Sequence, residues 1–150
     1  MKSFSKAMIA ALVATIVLSL LMVTKSAMGI MPQLDLQRMI AGVMGMPDAL
    51  AVGWAVHSFI GVVIYGAVLA MLDERLPGES RVWHGVLIAT VGWLVMMLVL
   101  MPMAGAGFFG LGLGISAPIM TLMLHLIFGA VLGAYYGHSL AREPANRSRT

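Results

Sequence analysis

Four apolar runs, at about 7–24, 49–72, 84–104 and 117–138, fill most of this chain, and their length decides what it can fold into. The hydrocarbon core of a bilayer is ~30 Å thick, so a helix that crosses it needs roughly 20 mostly apolar residues, a standard each run meets. A composition that is 61% hydrophobic and 10% charged agrees, because a soluble chain needs far more charge to cover so apolar a core. The predicted fold is all-α: one integral membrane domain over 1–150, a bundle of four spanning helices, with a polar tail at 139–150. Only short connections remain, too little for a soluble catalytic domain.

Lys2 and Lys6 before the first run resemble the start of a secretory signal. The stretch is long for that purpose, however, and Thr24-Lys25-Ser26 makes a poor cleavage site, so the run is read as a retained span. The chain has no cysteine, which excludes disulfides, thiolate metal sites and nucleophilic thiols. The sequence pI of about 9.7 arises from nine Lys and Arg at membrane edges and does not point to nucleic acid.

Four spans put both termini on one side with the loop at 73–83. That side carries Lys2, Lys6, Arg75, Arg81, Arg142, Arg147 and Arg149, against Lys25 and Arg38 on the other. Cytoplasmic loops hold the Lys and Arg excess, so both termini are expected on the cytoplasmic side of the membrane. Leu76-Pro-Gly-Glu79 is a turn signal. The outer stretch at 32–47 suits a short interfacial helix capped by Asp35. The outer stretch at 105–114 sets five glycines around Phe108, Phe109 and Leu111, which suggests a loop folded onto the membrane or a partner.

The chain also repeats itself. A shift of 68 residues superposes Ala49 on Ala117, His57 on His125, Gly61 on Gly129 and Val63 on Val131, with the helix-capping types Asp48 and Ser116 ahead of them. A shift of 75 relates Leu12-Val-Ala-Thr15 to Leu87-Ile-Ala-Thr90. Two parallel hairpin repeats imply a pseudo-twofold axis along the membrane normal. His57 and His125 are each the ninth residue of their runs, so they share a depth slightly outside the bilayer centre. An up-down bundle places the second and fourth helices diagonally, where the two rings can face one another.

The stretch from Met97 through Met101-Pro-Met103 and Phe108-Phe109 to Leu111, followed by Ala117-Pro-Ile-Met120 and His125-Leu-Ile-Phe-Gly129, resembles a family of small prokaryotic four-span proteins of unknown function. The resemblance is strongest over 93–137 and weaker over the first hairpin. It implies the four-span topology and supplies no activity, cofactor or site.

An ionisable ring inside a membrane is costly, so His57 and His125 are the candidate functional residues. One reading is axial ligation of a b-type haem by both imidazoles, with Gly53, Gly61 and Gly129 clearing space for the porphyrin and Lys25 and Arg38 meeting its propionates. Another is hydrogen bonding between helices to carbonyls or hydroxyls, and a third is proton or metal handling. His84 and His138 at the inner ends are expected as interfacial residues, or else as a second ligand pair. Met28 with Met31, Met44 with Met46, Met101 with Met103 and Met120 with Met123 raise an outward-facing Cu(I) site, against methionine as flexible apolar filler.

Gly129, Gly133 and Gly137 form a small-residue strip for close helix packing. Tyr65, Tyr135, Tyr136 and Trp83 are expected as belt residues at the inner edge; Trp54 and Trp93 lie deeper. All six acidic residues fall in loops or at span ends, against a carboxylate proton relay. There is no Walker loop, HExxH or Gly-x-Ser-x-Gly. By elimination the expected role is non-enzymatic. The leading expectation is an accessory subunit of a larger membrane complex, a respiratory one among them, whose partners are the lipid bilayer and other subunits or further copies of itself. The alternatives are a bis-histidine haem electron carrier and copper handling.

Overall fold

Helices that satisfy every backbone amide internally are long here: α1 (Lys2–Ala27), α3 (Leu50–Leu72), α4 (Arg81–Met103) and α5 (Ser116–Ala141). At 1.5 Å per residue each reaches about 35 Å or more, enough to cross a bilayer core. A short α2 (Leu36–Val43) joins α1 to α3, and one 3-10 segment, Phe108–Leu113, joins α4 to α5. These elements come from a computed structural model that describes residues 2–142. The chain is an all-α membrane protein with four spanning helices. Helix α1 runs a few residues past both expected limits and α4 starts three residues early, α3 matches its expected run to within one residue, and α5 takes up 139–141 of the expected tail. Arg147 and Arg149 lie outside the described residues.

The bundle is assembled around α1 and α5. Helix α1 packs along α5 and against the second half of α3, while α4 packs closely on α5. Helices α3 and α4 approach one another from their connecting loop up to Tyr65 and Gly92, and the first half of α3 leans on α2 instead. Spans two and four are therefore diagonal, as expected for an up-down arrangement.

Small residues determine which pairs are close. On α1, Ala7, Ala10, Ala11 and Ala14 are fully buried at i, i+3, i+4, i+7 spacing and join a core with Leu69, Phe128, Leu132 and Tyr136. Between α4 and α5, a Cβ on Gly85 would strike the backbone of Gly129 and Gly133, and one on Gly133 would strike the backbone of Arg81 and Val82. With no hydrophobic drive between helices in lipid, such backbone approach is what holds spans together. Gly137 meets only the Arg81 side chain, so the strip is tightest over its first two glycines.

The repeat is visible in this packing. Gly61 lies against Thr15, and Gly129 against Ala89, so each faces the first helix of its own hairpin at nearly equivalent positions. Thr15 and Thr90, equivalent under the shift of 75, both donate to the carbonyl four residues back, at 2.7 and 2.8 Å. The expected caps do not form: the residue before α3 is Ala49 and that before α5 is Ile115, neither with a side-chain cap bond. Asp35 does cap α2, accepting from Arg38 N–H at 3.0 Å.

The ends are closed differently. On the face bearing the termini, Asp73, Arg81 and His84 interlock beneath the α3–α4 loop. On the opposite face, Met97 and Met101 are fully buried with Leu34 and Ala106, and Met31, Met96 and Met120 pack around them. Methionine suits this irregular junction of two loops and three helices because its side chain is unbranched and flexible.

Candidate functional site

Between the two cores lies a cavity of about 300 Å³ lined by all four spans and α2. Thr15 and Leu18 come from α1, Ile40 from α2, His57 and Tyr65 from α3, Gly92 and Val99 from α4, and His125 and Phe128 from α5. The repeat thus delivers both candidate histidines to one chamber from diagonal helices. No sequence signal marked Tyr65 or Gly92, which complete it: the Tyr65 hydroxyl packs against Gly92, where any side chain would displace it. Tyr65 also meets Phe128 edge to face at 4.8 Å, forming an aromatic wall, so it is no belt residue.

The two imidazoles are held unequally. His125 Nδ1 lies 2.8 Å from the Thr121 carbonyl, which can only accept. Nδ1 therefore carries the proton and Nε2 keeps its lone pair. Thr121 is itself braced, donating to the Ala117 carbonyl at 2.8 Å and accepting from Trp93 Nε1 at 3.1 Å. His57 is buried, with Ser19 Oγ a long 3.4 Å from Nε2 and Trp54 edge-on at 5.8 Å. The two deep tryptophans thus each brace one histidine: Trp54 directly, Trp93 through Thr121.

Of the glycines expected to clear space, Gly53 is filled by the backbone of Gln37 on α2, Gly61 by Thr15 and Gly129 by Gly85 and Ala89. Lys25 donates to the Met31 and Leu34 carbonyls at 3.2 and 2.8 Å, and Arg38 is exposed beside Asp35. Spacing of i±4 showed which residues share a helical face, but not that a neighbouring helix already occupies it.

The other expected ligands disperse. His84 is neither interfacial nor available: it is 1% exposed, with Nδ1 2.8 Å from Asp73 Oδ1 and Nε2 2.9 Å from the Gly78 carbonyl. It makes no pair with His138. Tyr136 is also buried, its hydroxyl 2.7 Å from Ser3 Oγ, whereas Trp83 and Tyr135 remain exposed near the edge as expected. Two of the methionine pairs split, with Met101 fully buried beside an exposed Met103, and Met120 packed in the core beside an exposed Met123, while Met44 and Met46 are both exposed. Among the described residues no three His, Asp or Glu side chains converge on a metal position.

The α3 and α4 walls share a backbone irregularity. Tyr65 N–H donates to the Ile60 carbonyl and Met101 N–H to the Met96 carbonyl, each five residues back, in π-helical turns at Ile60–Ile64 and Met96–Leu100. Ile60, Gly61, Met96, Val99 and Leu100 of these turns all line the cavity. Such turns are rare and occur frequently at functional sites.

The chain belongs to a family of unknown function, DUF6789, whose model matches residues 1–147 and so takes in the first hairpin as well as the second. No curated protein and no solved structure matches it.

Proposed function

We propose, for this member of a family without assigned activity, a non-enzymatic role as a small integral subunit that docks on a larger membrane complex by the face opposite its termini. The observation that supports this is the connection between α4 and α5. Phe108, Leu111 and Ile115 are 65%, 55% and 70% exposed there. Gly107, Gly110 and Gly114 adopt positive φ, Gly112 N–H donates to the Ala106 carbonyl at 2.9 Å, and Phe109 packs at a tilt against Trp93, with ring centroids 5.9 Å apart. Phe109 itself sits at φ 56°, a left-handed conformation that costs an L-residue roughly 1–2 kcal/mol. A loop that carries such strain while turning apolar side chains outward is built for contact rather than for solvent.

Gentle solubilisation of membranes from cells that make the protein, followed by native electrophoresis, tests the reading. The chain should run in a larger particle, and the pair Phe108→Ser with Leu111→Ser should release it without loss of the folded bundle. Migration solely as a monomer or self-oligomer would overturn it.

The same proposal has the bundle in a prokaryotic inner membrane with both termini in the cytoplasm. The charges support it, with Lys6, Arg75, Arg81 and Arg142 on the terminal face against Lys25 and Arg38 opposite. Reporter fusions after Gly42, Gly78, Gly110 and Thr150 should alternate outside, inside, outside, inside. An inside signal at Gly42 or Gly110 would reverse the orientation or break the four-span order.

A further inference from the structure

We infer that the cavity between the hairpins is a binding site for a lipid-soluble hydroquinone, a single aromatic ring with para hydroxyls, which enters sideways from the bilayer and lies between His57 and His125. Four features of the chamber lead there.

The first is the route. Helices α3 and α4 part beyond Tyr65 and Gly92, and the residues along that gap, among them Ile60, Val95 and Val99, are exposed apolar side chains that also line the cavity. In a spanning bundle such side chains face acyl chains, so the opening selects molecules dissolved in the lipid over water-soluble ones.

The second is the polar chemistry. With its proton committed to the Thr121 carbonyl, His125 offers the lone pair of Nε2, which accepts and cannot donate. An occupant must bring a donor, so a hydroxyl suits the site and an ether or ketone oxygen does not. His57 stands on the diagonal helix, bound only at 3.4 Å to Ser19, a contact loose enough to be shared. Two ring nitrogens brought to one chamber from diagonal helices match two hydroxyls that leave a ring in opposite directions.

The third is shape. About 300 Å³ lies at the lower limit of small-molecule pockets and suits one substituted ring, with any tail leaving through the α3–α4 gap. The apolar walls include the Tyr65 and Phe128 rings. The fourth is the backbone. Both helices flanking the opening, and neither of the other two spans, carry a π turn, and both turns contribute residues to the wall. An apolar ring carried on a few well-placed polar groups is how small-molecule sites generally achieve orientation and specificity.

The test uses the full chain in phospholipid nanodiscs, with empty discs subtracted to remove partition into lipid. Two probes are compared by equilibrium binding: duroquinol, kept reduced, and its dimethyl ether, which has the same ring and methyl groups but no donor. Duroquinol should saturate at one per chain and bind about tenfold or more tighter than the ether, the discrimination expected when a buried acceptor loses its donor. His125→Leu should weaken duroquinol toward the level of the ether while leaving the ether's affinity unchanged. Val99→Trp, at the lipid-facing gap and clear of the helix contacts, should weaken both probes. Equal affinity of the two probes for the unaltered protein, or no saturable binding above empty discs, overturns the inference even if His125→Leu fails to fold. Unchanged binding in Val99→Trp overturns the sideways route.

Discussion

Gly133→Leu should leave little folded protein. The glycine faces the backbone of Arg81 and Val82, and Gly85 of the same helix faces the backbone of Gly129 and Gly133 in return. A side chain added here meets atoms that cannot rotate away, so α4 and α5 must separate along the length where they are closest. Overpacking in an ordinary core costs roughly 1–3 kcal/mol because neighbouring side chains give way. Backbone against backbone removes that escape, and a loss on the order of 4 kcal/mol or more is expected, in the range reserved for severe disruptions. Thermal unfolding in detergent, followed by size-exclusion chromatography, reads the effect. Gly137→Ala is the internal control: its Cβ would meet only Cβ and Cγ of Arg81 at 3.2 and 3.3 Å, and a slight shift accommodates it. A Gly133→Leu protein as stable as Gly137→Ala would show that the α4–α5 contact is not what organises the bundle.

That contact was visible in the sequence because Gly129, Gly133 and Gly137 recur at one helical spacing. The equivalent device on α1 is built from Ala7, Ala10, Ala11 and Ala14, and it passed unnoticed because alanine is unremarkable in an apolar run. The four spans followed from length, and the short α2 from its two flanking prolines and Asp35. The shared chamber of His57 and His125 followed from the repeat. The chamber's contents did not. Which neighbour fills the space beside Gly53, Gly61 or Gly129 depends on how helices cross, and periodicity along one helix carries no record of its partner. The π turns left no trace either, since no residue type is reserved for a bond five residues back. Trp54 and Trp93 had no explanation along the chain and acquire one only once each is seen bracing a histidine, Trp93 through a threonine 28 residues away.

Asp73→Leu is expected to be the most damaging change on the face that carries the termini. Asp73 is 3% exposed, pairs with Arg81 and accepts from His84 Nδ1, while His84 Nε2 lies against the Gly78 carbonyl. The buried carboxylate is thus shared by the His84 ring and the Arg81 guanidinium, and it ties the end of α3 to the first turn of α4 across the loop. Removing it strands the two partners unequally. Arg81 is about a third exposed and can turn to water, whereas the His84 side chain is almost wholly enclosed. Breaking a buried pair by removing one partner costs about 3–5 kcal/mol, most of it the penalty of the charge left behind. The double variant Asp73→Leu with His84→Phe should therefore be more stable than Asp73→Leu alone, a non-additivity that only a direct interaction produces. Unfolding of the two single variants and the double variant in detergent closes the cycle. If the two losses simply add, His84 and Asp73 are independent core residues, and the loop joining α3 to α4 is held by its turn and not by charge.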